Sequence, residues 1–135
     1  LVAFQHVMQT RPIELFTFQF TDLFQLMAES LTDEELRDTM IYLDPPYLNT
    51  TATYNENEGW TIKDEEDLYD LCENLNNKNI KFGLSNVFAN KGVENTKIIE
   101  WCNKNNWDVY TFDKFSYMAC GKGNSNAKEV FIRNY

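Results

Sequence analysis

Asp44, Pro45, Pro46 and Tyr47 set an acceptor, a rigid backbone and an aromatic ring side by side. Proline has a fixed φ and no amide proton, so two in succession make a stiff exit from the segment before them. They also hold Asp44 to extended geometry. A stiff exit presents the Asp44 carboxylate and the Pro45 carbonyl in fixed directions. Both are acceptors only, so together they match a group with two donor hydrogens, such as the exocyclic amine of a base. Tyr47 can lie flat against a planar ring, a stack worth about 1–3 kcal/mol per base. The plainer reading is punctuation, since Asp and Pro commonly end strands and a tyrosine is commonly a half-buried ring.

Other chemistries find less support. Cys72, Cys102 and Cys120 lie far apart with no CxxC pair, and His6 is the single histidine. A zinc site would need more ligands at closer spacing. Free thiols in a reducing cytoplasm are the expectation. A net charge of −9 argues against coating nucleic acid by bulk electrostatics. The charge is uneven: residues 56–73 carry eight acidic side chains against Lys63, and residues 114–135 carry four basic ones against Glu129. The acidic stretch reads as a solvated helix face. The basic end could face an anionic partner or simply balance the surface.

These residues need elements to hold them. "TMIYL", 39–43, is a continuous β-prone run, the pattern of a strand covered on both faces, and the Asp-Pro-Pro-Tyr stretch leaves its end. "TFQF", 17–20, reads as a short strand, and Leu23, Phe24, Met27 and Leu31 then follow helical spacing. "LTDEELRD" reads as a polar connection with about one helical turn. After Tyr47, "LNTTATYNENEGW" has no period and reads as a surface loop. "TIKDEEDLYDLCENLNN" places Leu68, Leu71, Cys72 and Leu75 on one helical face, with acidic residues at its start and asparagines at its stop. "IKFGLS", 80–85, is a second buried strand, with Ser85 and Asn86 at its end. "NTKIIEWCNKNN" is a shorter helix with Ile98, Ile99, Trp101 and Cys102 toward the core. "WDVYTFDKFSYM" and "EVFIRNY" close the chain as a hairpin through "ACGKGNSNAK". Alternating strands and helices predict an α/β domain with a mostly parallel sheet, ending in an antiparallel edge hairpin. Ligands of such sheets sit beyond the carboxyl ends of the strands. Length and composition suit one globular domain, and no apolar run is long enough to span a bilayer.

At "YLDPPYLNTTATYNENEGWT", "IKFGLSNV", "NTKIIEWC" and "AKEVFIRNY" the chain resembles the C-terminal half of the D12-class, Dam-like, adenine-specific DNA methyltransferases. The resemblance runs in order from about Asp22 to Tyr135. It implies a Rossmann-like S-adenosylmethionine-dependent methyltransferase fold, present in part. It implies methyl transfer to the 6-amino group of adenine in double-stranded DNA, with restriction–modification as the setting and no membrane. Asp44, Pro45, Pro46 and Tyr47 would be catalytic, with the amine held by Asp44 and the Pro45 carbonyl and the ring stacked on Tyr47. The base would first be flipped from the duplex, and catalysis would rest on positioning and electrostatics, without a metal. Asp22 and Asp44 would help hold the cofactor. For Asp22 a helix N-cap is the alternative. Tyr54 and Asn55 would close over the flipped base or touch DNA, or simply belong to a surface loop. Ser85 and Asn86 would shape the substrate pocket. Lys122 and Lys128 could meet phosphate or solvent.

The family's glycine-rich FxGxG cofactor motif is missing from these 135 residues, and "GKG" at 121–123 sits in a hairpin connection. The chain also opens on Leu1 rather than Met. Residues 1–38 therefore read as a lead-in and 39–135 as the catalytic half of a domain whose remainder lies upstream. Alone, the chain is expected to bind S-adenosylmethionine poorly and to transfer no methyl group. An unpaired sheet edge favours dimerisation. An RNA base-amine methyltransferase and an inactive remnant serving as an interaction module are the alternative readings.

Overall fold

The computed structural model describes residues 19–48, 60–90, 92–112 and 127–135. The chain divides into two compact units, Leu1–Ser30 and Leu31–Tyr135. In the first, a 3-10 turn at Phe20–Asp22 leads into helix α1, Leu23–Ser30, with Met27 buried. Phe20 thus belongs to a turn rather than to the strand expected at 17–20, because the Asp22 N–H bonds back to the Gln19 carbonyl (2.9 Å).

The second unit begins with α2, Asp33–Asp38. The expected polar connection is a real helix because Thr32 and Glu35 form a capping box that satisfies its first free amides. Strand β1, Met40–Leu43, leads to the Asp-Pro-Pro-Tyr stretch. Helix α3, Ile62–Asn77, is capped by Thr61 and Asp64 and buries Leu68, Tyr69, Leu71, Cys72 and Leu75. It stops where Asn79 takes a left-handed φ of 57°, which lets the Ile80 N–H return to the Leu75 carbonyl (2.9 Å). Strand β2, Lys81–Asn90, follows, then the short β3, Val93–Glu94, which pairs back on its end. Helix α4, Thr96–Asn105, starts on the Asn95 cap and stops at Asn106, again left-handed at φ 54°. Strands β4, Asp108–Phe112, and β5, Lys128–Arg133, complete the sheet.

The strand order is β1-β2-β5-β4. Strand β2 is parallel to β1, and β5 is antiparallel to both β2 and β4. Among the described strands only the β1–β2 pairing is parallel, so the sheet is mixed where a mostly parallel one was expected. The antiparallel strand of the closing pair is internal, not at the edge. Burial explains this: Val130 and Ile132 of β5 are fully buried, whereas most of β4 is exposed. The more apolar strand takes the inner position and leaves β4 outside.

Two further expectations change. Strand β1 is not covered on both faces: Met40 is 50% and Tyr42 59% exposed, because alternation turns both to the face away from α3 and α4. Ser85 and Asn86 do not end β2, which continues to Asn90. Strand β1 is simply the shorter partner. Its last pair is Leu43 with Leu84, so Asp44 leaves the sheet level with Ser85.

The core lies on the face of the sheet that carries Phe82, Leu84, Val130 and Ile132, under α3 and α4. Trp101 stacks on Tyr69 with centroids 4.4 Å apart, and Trp107 meets Phe82 edge-on at 5.3 Å. Cys72 and Cys102 are free and buried in this layer. Burial raises both thiols, Cys102 to about 12, so they pack as small apolar groups rather than nucleophiles. Glu65 departs from the solvated acidic face expected of α3. It is fully buried and accepts from Trp60 Nε1 and the Tyr69 hydroxyl (2.7 Å).

Candidate active site

The carboxyl ends of β1 and β4 and the amino end of β5 meet beside the middle of β2, and a cleft of about 260 Å³ opens there. Tyr42, Tyr47, Ser85, Asn86, Phe112, Glu129 and Val130 line it. Register explains much of this gathering. Tyr42 lies beside Gly83, two residues before Ser85, while Phe112 lies opposite Glu129, which lies opposite Val87. Side chains alternate across a strand, so Tyr42, Ser85, Glu129 and Phe112 share one face of the sheet. It is the face away from α3 and α4.

A hydrogen bond of 2.8 Å between the Tyr42 and Ser85 hydroxyls ties β1 to β2 at the cleft wall. Asn86 is fully buried; its Oδ1 accepts from the Val87 N–H (2.7 Å), while its Nδ2 has no partner among the described residues. A buried amide donor left unpaired is unfavourable by about 1–3 kcal/mol. Glu129 is half-buried, and its carboxylate has neither a hydrogen bond nor an ion pair among the described residues. Beside the cleft, on the same face, the Phe131 ring covers Gly83 so closely that an added Cβ would lie 2.5 Å from it.

Of the residues singled out in sequence, the structure brings Tyr47, Ser85 and Asn86 together at the cleft. Asp44 is exposed at the end of β1, and Pro45 and Pro46 are half-buried behind it; none of the three lines the cleft. Asp22 closes the 3-10 turn of the separate first unit. Tyr54, Asn55 and Lys122 lie outside the described residues, and Lys128 is exposed at the start of β5. Sequence reasoning missed Tyr42, Phe112, Glu129 and Val130. Tyr42 was within reach, since it lies in the strand that leads directly to Asp44 and Tyr47. Phe112 and Glu129 carried no local signal, because the strand order brings them in.

A mixed α/β sheet with an Asp-Pro-Pro-Tyr exit from a strand, beside a cleft lined by aromatic rings, defines the class: an α/β domain with an aromatic cleft where β1 ends. Residues 8–116 match the family described as D12 class N6 adenine-specific DNA methyltransferase. The chain belongs to that family. It is 37% identical over 103 residues to the Type II methyltransferase M.FokI of Planomicrobium okeanokoites, a match covering 73% of this chain and 16% of that protein. It is 40% identical over 102 residues to Modification methylase LlaI of Lactococcus lactis subsp. lactis, covering 73% and 15%. With Modification methylase StsI of Streptococcus sanguinis the identity is 36% over 103 residues, covering 70% and 15%. The chain thus spans about a sixth of the length of these curated relatives.

Proposed function

We propose that the protein to which this chain belongs transfers a methyl group from S-adenosylmethionine to the 6-amino group of adenine in double-stranded DNA. The observation that carries this reading is the stiff Asp44–Tyr47 exit from β1, whose ring reaches a cleft large enough for one planar base. At about 260 Å³ the cleft falls just under the roughly 300–1,000 Å³ of ordinary ligand pockets. In this reading Tyr47 stacks on a flipped adenine. Asp44 and the Pro45 carbonyl, which lie in the chain between the lining residues Tyr42 and Tyr47, accept from its amine at the cleft mouth and orient the nitrogen lone pair. Pro46 keeps the exit rigid, and Ser85 and Asn86 shape the wall. Tyr54 and Asn55 belong to the loop that would meet the base or the duplex. Methyl transfer needs no metal or covalent enzyme intermediate here, so catalysis rests on positioning and fixed dipoles.

The methyl donor does not fit the residues described. The cleft is too small for a nucleoside with an amino-acid tail, and among the described residues no glycine lines it. We place the donor's seat in sequence upstream of this chain, where a strand followed by FxGxG is expected. The sheet is then the C-terminal part of a Rossmann-like methyltransferase fold. Its partner is duplex DNA, its setting the cytoplasm, and the β1 edge offers a route to self-association.

The test is methyl transfer by the parent protein with methyl-labelled S-adenosylmethionine. Label should enter adenine of duplex DNA, and Asp44→Ala should lower kcat by roughly 10²–10³, the usual effect of losing a positioned transition-state partner. Label entering structured RNA alone, or an unaffected Asp44→Ala variant, overturns the reading.

A further inference from the structure

Three aromatic rings and one carboxylate share the cleft. Tyr42, Tyr47, Phe112 and Glu129 all line it, and Phe112 and Glu129 lie directly opposite each other on neighbouring strands. The Glu129 carboxylate is half withdrawn from water and has no hydrogen-bond or ion-pair partner among the described residues. A half-buried carboxylate without a partner is placed to accept a positively charged one. Ring faces add negative potential of their own, and an aromatic box is a common means of holding an organic cation. The rings and the carboxylate attract the same kind of ligand, a positive charge on a flat or compact body, and both repel a phosphate.

We infer that this cleft selects a positively charged, base-sized ligand over a neutral one, with Glu129 as the counter-charge. The nature of that ligand rests on the methyltransferase reading: it is the target adenine, whose amine is positively charged from the moment it carries a methyl group until it releases a proton to water. Glu129 then touches the modified base on its charged form and has no comparable hold on the neutral product. The cleft binds the base most tightly when the charge is present and lets it go once the proton has left.

Two isomeric nucleosides test this on the isotope-labelled chain by nuclear magnetic resonance titration. 1-Methyladenosine is a cation at neutral pH, and N6-methyladenosine is an isomer of its neutral form that stays uncharged, one proton short of the cation. 1-Methyladenosine should bind at least about fivefold more tightly, the size of one partly exposed ion pair with Glu129, with shifts at the Ser85, Asn86 and Val130 amides. Glu129→Gln, which keeps the shape and removes the charge, should bring the ratio of the two affinities close to one. Equal affinities in the wild-type chain, a preference that survives Glu129→Gln, shifts centred elsewhere, or no binding of either nucleoside would overturn the inference. The readout needs no methyl donor. A parent protein that fails to methylate adenine would therefore overturn the proposed function while leaving the cation preference standing.

Discussion

Asn134 acts as a side chain doing the job of strand backbone. Its Oδ1 accepts from the Phe82 N–H (2.8 Å), and its Nδ2 donates to the Ile80 carbonyl (3.0 Å) and to Asn76 (3.2 Å). The end of β5 is thereby tied to the start of β2, next to the buried Phe82 ring. Asn134→Ala would leave a part-buried donor and acceptor unpaired, at a cost of about 1–3 kcal/mol. It should appear as a lower urea midpoint at unchanged slope. Asn134→Asp keeps the acceptor but sets a carboxylate against the Ile80 carbonyl. It should lose at least as much at pH 7 and recover part of it once acid protonates the carboxyl, which can then donate. An Asn134→Asp midpoint equal to wild type at pH 7 would sink this account. At this scale the sequence was legible where chemistry is local. The stiffness of Pro45 and Pro46 and the reach of Tyr47 need only their neighbours in the chain. Glu129 and Glu65 were illegible because their roles come from partners far away or from burial: nothing in "AKEVF" or "KDEED" marks one acidic residue as lining a cleft and another as the partner of Trp60 and Tyr69.

The elements begin and end by chemistry that can be read in sequence and tested in solution. Helix α3 starts on a reciprocal pair: Thr61 Oγ1 accepts from the Asp64 N–H (3.2 Å), and the Asp64 carboxylate accepts from the Thr61 N–H (2.8 Å) and hydroxyl (2.6 Å). The Thr61 side-chain bond first, and its backbone bond second, hold the Asp64 carboxyl below its ordinary range. A carboxyl whose pKa is lower folded than unfolded adds stability above its unfolded value, about 3.9 for Asp, and that stability is lost as pH falls through the folded value. Thr61→Val should therefore raise the Asp64 titration midpoint toward the ordinary value. It should also cost about 1 kcal/mol of stability at neutral pH, a difference that narrows in acid below pH about 4. An Asp64 midpoint that does not move would refute the coupling. Helix faces followed their period, so Leu68, Leu71, Cys72 and Leu75 were found where spacing put them. The internal place of β5 was missed because alternation shows which way side chains face and not which strand lies alongside. Only the contrast between buried Val130 and Ile132 and exposed Tyr110 and Phe112 makes that order physically reasonable.

Among the described strands of the second unit, the sheet ends in two unequal edges, β1 and β4. Strand β1 is short, carries exposed Met40 and Tyr42, and pairs with no described strand on its outer side. Such an edge is a template for another strand, which makes it the proposed site for pairing with a second copy of this chain. Electrostatics oppose that pairing, since each copy carries a net charge of −9. Like charges separated by more than a screening length of about 10 Å at 0.1 M salt cease to repel strongly. Pairing through β1 should therefore be weak at low ionic strength and strengthen with salt, the reverse of an association held by ion pairs. Met40→Lys places a charge at the edge, where strand addition would desolvate it, and should return the chain to monomer even though it lowers the net negative charge. Light scattering across protein concentration, in about 0.02 and 0.2 M salt, separates the possibilities through the screening it changes. A monomer in every condition would remove the edge as an association site. A dimer that weakens with salt, or that survives Met40→Lys, would place the contact on another surface.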